Sequence, residues 1–553
     1  MAKHDLPYHL IGSESQHHIG GTRWCMDMEI VNQIMYQHIA DTPPPTLLNY
    51  LPENLITNMV FREWLRTRFV TYDEYLSLFD QPITENIYLL TGTNAQKRKL
   101  FKTRNAPNEQ GYFDFMKKVN PQLWEFFFTW VNVEIPAKDR RMHTYCIGAS
   151  GCGKTELMKN QIIQDVKRGT STVVFIDPKG DAALQLARHS INLINPDRLI
   201  YIDPFLDRNM TPVINPFDMP NKSEYFEDRK YKLIIEKRAS QIMQALIQIF
   251  ADADAKFTEK MQTYLYPAIC VVMLKEDGDM TDLLRLFDGS DVSDLLALGS
   301  KSPNDEHRQM FQRGFTVPTQ TKDAVRDKLQ NMLNSGNLKD LVTGRSTIDL
   351  DSAINSKKFV IVNLSKGKLD PKPSLFFGKF VISLIQSIIF QRALEDEDKR
   401  VSTYLYVDEF HNYINDDIKE LLNEGRAFAI HLYLASQTLY QEMNGTIRDA
   451  VAGNTKVKIV GMLNDTSKAP ELSNILGVDR KVLEALPEHK FYVKIGKKKA
   501  FILHPSTKNL KNAGAMSFDD WQKVKQQQLD KYYRPLKERQ PDSDVFTPKF
   551  KDE

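Results

Sequence analysis

The run Gly148-Ala149-Ser150-Gly151-Cys152-Gly153-Lys154-Thr155 matches G-x-x-x-x-G-K-[ST] at every fixed position. Residue types in that order can do one kind of chemistry well. Glycines let successive backbone N–H groups turn inward around phosphates, and a helix that starts there adds the positive end of its dipole. Lys154 would then reach the terminal phosphates, and the Thr155 hydroxyl would ligate Mg²⁺. Glu156 follows at the helix start, where an acid suits the dipole, and completes the candidate nucleotide-binding set. The context agrees: residues 143–147 read as a buried strand before the loop, and 156–167 as a helix after it.

Hydrolysis of a bound triphosphate needs a second acidic site at the end of a neighbouring strand. Tyr404-Leu405-Tyr406-Val407-Asp408-Glu409 supplies four apolar residues and then two carboxylates. Asp408 is expected in the Mg²⁺ shell, through water, and Glu409 as the general base that polarises the attacking water. Gln437 follows the apolar run 432–435 at the tip of the next expected strand. A neutral amide there orients water or senses the terminal phosphate, or is merely a polar strand end. Arg426, between Glu409 and that strand, is either an arginine finger for a neighbouring subunit or an exposed helix ion pair.

These groups need a rigid frame. Seven short apolar runs, at 143–147, 172–176, 199–202, 359–364, 404–407, 431–435 and 456–460, alternate with helical stretches. That rhythm predicts an α/β fold with a parallel sheet covered on both faces. The interval 220–345 breaks it with amphipathic segments at 231–250 and 256–274, and reads as a helical insertion. Residues 1–135 read as a mostly helical N-terminal domain of open role, with a basic segment at 97–104 taken as a solvated loop. The expected nucleotide-binding core thus runs over 136–219 and 346–505, and 506–553 is expected to be a polar tail, extended or disordered.

Chain-wide properties narrow the classes. A length of 553 residues calls for several domains, and 73 basic against 71 acidic residues leave a net charge of +2. No global field then attracts polyanions, so any nucleic-acid surface is local; Lys497-Lys498-Lys499 is one cluster, or a solvated strand edge. Four scattered cysteines lack metal-ligand spacing and point to a reducing compartment. The N-terminal residues lack the apolar core of a signal peptide. The apolar stretches 264–274 and 380–390 fall short of the ~20 residues of a membrane span. The expectation is a cytoplasmic protein, or one held at the membrane by another subunit.

Further signatures stand in order along the chain. Asp139-Arg140-Arg141-x-His143 precedes the phosphate-loop strand, Phe175-Ile176-Asp177-Pro178-Lys179-Gly180-Asp181 ends the next, and Asp203-Pro204 leads to Asn215-Pro216-Phe217. Ala435-Ser436-Gln437-Thr438 comes later, followed by 456–461 and 469–477. Over roughly 138–505 the chain resembles the FtsK–HerA superfamily of ring-forming, DNA-pumping ATPases, and within it the coupling proteins of conjugation and type IV secretion. The resemblance implies a RecA-like P-loop fold and rings, hexameric in this family, that bind Mg-ATP between subunits and move DNA through a central channel. It places Lys154 and Thr155 on nucleotide and metal, Asp408 and Glu409 in hydrolysis, Gln437 as sensor and Arg426 as the residue donated in trans. Asp177 and Lys179 stand either in a strand-ending turn or in the catalytic edge. Implied partners are DNA, a relaxase or relaxosome, and the secretion channel. The transmembrane helices typical of such proteins are missing from the sequence, which implies a separate anchoring subunit or a relative acting elsewhere. Two other readings remain: a viral or plasmid DNA-packaging or processing ATPase, and a nucleotide-gated docking module for secreted proteins.

Overall fold

The computed structural model describes residues 20–23, 130–133, 135–218, 229–251, 258–334, 336–369, 371–413, 416–440, 443–498, 500–503, 505 and 514–536. The expectations for 1–135 lie outside the described residues, apart from a short antiparallel strand pair, Gly20–Arg23 with Trp130–Val133. Nine strands make up the mixed sheet. In chain order they are β1 (Thr144–Ile147), β2 (Thr172–Asp177), β3 (Leu199–Ile202), β4 (Phe359–Asn363), β5 (Thr403–Val407), β6 (Ile430–Ser436), β7 (Val457–Val460), β8 (Phe491–Ile495) and β9 (Phe501–Leu503). With them stand the helices α1 (Lys154–Arg168), α2 (Asp181–Ala187), α3 (Pro371–Gln391) and α4 (Phe518–Tyr532).

The chain divides into two compact units. One comprises Met1–Arg140, Cys146–Gln164 and Lys456–Thr507; the other comprises Arg141–Tyr145, Asp165–Thr455 and Lys508–Glu553. The larger unit holds five parallel strands in the order β3-β4-β2-β5-β6. Every residue of these strands is buried. That explains why they are near-continuous apolar runs and not alternating ones, as strands covered on both faces must be. The smaller unit holds the phosphate loop and the antiparallel strands β7, β8 and β9.

All seven apolar runs form strands, and β8 and β9 add an antiparallel portion that the sequence reading did not contain. Between Phe217 and Phe359 every regular element among the described residues is a helix, from Arg229–Ala251 to Leu350–Asn355. The Asn-Pro-Phe signature closes the base of this excursion. Asn215 Nδ2 donates to the carbonyls of Gly278 and Gly344, each at 2.8 Å, while its Oδ1 accepts from Phe217 N at 3.0 Å. One buried amide thus gathers points far apart in sequence, and satisfies main-chain groups that burial would otherwise penalise.

Two expectations need correction. The apolar stretch judged too short for a membrane belongs to α3, whose segment Pro373–Gln391 is by length and composition long enough. Its burial, 89%, makes it a core helix, and Gln386 inside it is hydrogen-bonded to Glu420. The tail expected to be extended contains α4, capped by Ser517, with Trp521, Val524, Gln528 and Leu529 buried at helical spacing. Gln528 completes the edge of the sheet: its Oε1 accepts from Tyr201 N at 2.8 Å and its Nε2 donates to Leu199 O at 3.0 Å, as a further strand would.

Candidate functional site

In the smaller unit the phosphate loop leaves the last half of β1 and enters α1. Gly151 (φ 82°) and Gly153 (φ 99°) take left-handed conformations that other residues adopt only under strain. A Cβ built on Gly151 meets nothing within 4 Å, so the loop opens on space there. Gly148 is glycine for another reason: a Cβ would lie 2.7 Å from Cys152 Sγ. Cys152 is fully buried, and burial pushes its thiol up, so it packs the loop as a small apolar residue. Lys154 is 6% exposed and folds back on the loop, its Nζ donating to Gly148 O at 2.5 Å and Ala149 O at 2.9 Å. An ammonium kept dry by its own loop's carbonyls can exchange them for phosphate oxygens at small cost. Thr155 stands in the first turn of α1. Glu156 pairs with Lys159 Nζ at 2.6 Å along the helix surface.

The carboxylate pair lies in the larger unit, and strand register determines its company. Val407 at the end of β5 is opposite Ile176 of β2 on one side and Leu434 of β6 on the other. The residues that follow each strand therefore converge at the carboxyl edge, where ligands bind in open α/β sheets. Asp408 is 1% and Glu409 4% exposed. Glu409 has φ 45°, a left-handed geometry rare outside glycine, held by Asn412, whose N and Nδ2 both donate to Glu409 O at 2.9 Å. Glu409 Oε1 accepts from Gln437 Nε2 at 3.1 Å and from Lys179 Nζ at 2.5 Å. His411 Nδ1 lies 3.6 Å from Glu409 Oε2.

The Asp177–Asp181 signature is the device that brings Lys179 there. Asp177 accepts from Lys179 N through Oδ1 and from Ala183 N through Oδ2, each at 2.9 Å, and so ties the turn to the start of α2. Burial pushes the Asp177 carboxyl up, against these N–H groups, which pull it down. Gly180 has φ 88°, and a Cβ there would sit 2.6 Å from Asn363 Oδ1 and 2.8 Å from Ser365 Cβ. Asp177 is thus the grip of a strand-ending turn, and Lys179 its tip. Burial opposes the Lys179 charge, but the hydrogen bond and charge of Glu409, with Asp408 and Asp177, override it and raise its pKa above the ordinary lysine value.

Gln437 thus reaches Glu409, while Asp408 stands beside it at the edge. Arg426 does not join them. It is exposed in the turn Gly425–Phe428, before the amino end of β6, and the seven residues of β6 put it about 20 Å from the carboxyl edge. The Asp139-to-His143 signature serves packing: Lys456 pairs with Asp139 at 2.7 Å, and His143 Nδ1 accepts from Leu432 N at 3.0 Å. Burial lowers the His143 pKa to about 4, so the ring is neutral.

Some contributors escaped the sequence reading. His489 packs against the loop, its Nδ1 2.7 Å from where a Gly153 Cβ would lie and its N donating to Cys152 O at 3.1 Å. A second polar cluster joins β3, β4 and the C-terminal helix: Asn363 Nδ2 donates to Tyr201 Oη and Asp203 Oδ2 at 2.9 Å, and Tyr533 Oη donates to Tyr201 O at 2.6 Å. No spacing rule signals either.

No curated protein sequence matches the chain. Among solved structures it is similar to the bacterial conjugative coupling protein TrwB lacking its first 70 residues, with TM-score 0.46 and 14% identity over 69% of this chain and 90% of that one. TrwB in complex with ADP and Mg²⁺ gives TM-score 0.49 and 13% identity, over 69% and 89%. VirB4 of Thermoanaerobacter pseudethanolicus gives 0.44 and 13%, over 68% and 94%. The family model of the type IV secretion-system coupling protein DNA-binding domain matches residues 128–486, which include the phosphate loop, the Asp408-Glu409 pair and Gln437. By that match, the chain belongs to the type IV secretion-system coupling proteins.

Proposed function

We propose that this coupling protein is an ATP-driven DNA translocase. It recruits DNA, or a relaxase–DNA complex, and feeds it to a conjugative type IV secretion channel. It works as a ring of identical subunits, six as in its superfamily, on the cytoplasmic face of the membrane. The observation that carries the reading is Glu409, buried at the carboxyl edge of a parallel sheet with an amide from the next strand on its carboxylate.

The residues fit Mg-ATP. The open cradle at Gly151, the retracted Lys154 and the first turn of α1 suit a polyphosphate. Gly148 to Thr155 would hold it, with Thr155 and Asp408 on the metal. Bound there, the nucleotide supplies the phosphoryl bond whose cleavage drives the motor. Lys154 neutralises phosphate charge, Glu409 takes the proton of the attacking water, and Gln437 orients that water or senses the terminal phosphate. Arg426, which cannot reach its own carboxyl edge, is available to a neighbouring subunit as a finger.

The test is ATP turnover by the full chain with Mg²⁺, with and without single- and double-stranded DNA. The translocase reading expects turnover to rise on DNA and to vanish in Lys154→Ala, which removes charge stabilisation of several kcal/mol. Turnover indifferent to DNA would favour the docking-module reading instead. The family match favours conjugative transfer over DNA packaging.

A further inference from the structure

Glu409 can act as a base only if one of its carboxylate oxygens faces water, yet Oε2 is buried beside His411 and Oε1 already accepts two donors. The Lys179 ammonium is at 2.5 Å and the Gln437 amide at 3.1 Å. A carboxylate oxygen offers two lone-pair directions. The contact with Lys179 is also charge-assisted, in a place where the Glu409 carboxylate is buried. A base so held is a poor proton acceptor.

Lys179 is built differently from its partner. Its backbone is fixed: its own N–H is bonded to Asp177 Oδ1, and the neighbouring Pro178 carbonyl accepts from Lys366 N at 3.1 Å. Lys366 also bridges to the turn after Glu409, donating from Nζ to Asn412 Oδ1 at 2.7 Å. Its side chain, by contrast, is 52% exposed on a flexible four-carbon stem. A fixed root with a solvent-exposed cationic tip on a buried anion is the arrangement of a latch.

We propose that Lys179 is a latch on the hydrolytic carboxylate. In the resting chain its ammonium occupies Glu409 Oε1, and a phosphate group, competing for the same cation, draws it away and releases the base. Lys179 is then a positioning residue that holds down turnover until the polyanion is in place. This rests on the ATPase reading above and adds to it the source of its regulation.

The experiment compares wild type, Lys179→Met and Lys179→Arg as full chains with Mg-ATP, each with and without DNA. Methionine keeps the stem and removes the charge; arginine restores the charge. The latch predicts a DNA-free kcat several-fold above wild type in Lys179→Met with KM changed less than kcat, a smaller stimulation by DNA, and wild-type behaviour restored in Lys179→Arg. Adding Glu409→Gln to Lys179→Met must abolish the gain. A DNA-free kcat of Lys179→Met at or below wild type would overturn the latch, as would a gain that survives Glu409→Gln. A wild type unresponsive to DNA would overturn the translocase reading and release of the latch by DNA, whereas the hold of Lys179 on Glu409 is decided separately, by the DNA-free gain of Lys179→Met and its loss on adding Glu409→Gln.

Discussion

Gln437 donates its side-chain amide to Glu409 Oε1 across 3.1 Å, from the tip of β6 to the tip of β5. An amide in that position steers the carboxylate without adding charge. Gln437→Ala should therefore lower kcat by about tenfold to a hundredfold and leave KM within about twofold, as loss of an orienting group does. Steady-state ATPase kinetics check this, and an unchanged kcat would remove Gln437 from the site.

Gly180 bears on the same edge through the backbone. Alanine there must adopt φ 88° and place its Cβ 2.6 Å from Asn363 Oδ1. Gly180→Ala should cost about 1–3 kcal/mol of stability, from left-handed strain and overpacking, and should displace Lys179 as well. Urea unfolding measures the first effect. A midpoint equal to wild type would mean the turn is more yielding than its contacts imply.

Arg426 lies at the amino end of the sheet, about 20 Å by strand rise from Glu409 of its own chain. If it is a finger, it acts on another subunit. Rings mixed from Arg426→Ala and Glu409→Gln chains, each inactive alone, should recover part of the wild-type ATP turnover. Mixed rings no more active than the two parents would exclude a role in trans.

Just past α4, one hydroxyl ties the chain to the edge of the sheet. Tyr533 Oη donates to Tyr201 O at 2.6 Å and accepts from Asp203 N at 3.1 Å, in a buried setting. Tyr533→Phe leaves both main-chain groups without that partner and should destabilise the larger unit by about 1–3 kcal/mol. Thermal unfolding checks it.

These residues show which parts of the molecule the sequence made legible. Buried parallel strands are runs such as Val173-Val174-Phe175-Ile176, so their positions were plain, and Glu409 stood out as a candidate because a strand ends just before it. The contact of Lys179 with Glu409 was not legible, since 230 residues separate them and only the register of β2 against β5 brings them together. The sequence therefore left Lys179 between a strand-ending turn and a catalytic edge; in the structure it is the tip of the turn, with its ammonium on Glu409. Helix α4 was missed because four buried residues in a stretch rich in lysine and glutamine make a weak period. Strands β8 and β9 were missed because charged flanks and short length hid them.

The central claim is that Glu409 converts ATP cleavage into movement along DNA. Displacement of a third strand from a DNA triplex by the full chain, wild type against Glu409→Gln, tests it most directly. The account predicts ATP-dependent displacement by wild type and none by the variant, while the variant still binds ATP and DNA. Equal displacement by both, or none by a wild type whose ATP turnover responds to DNA, would contradict it.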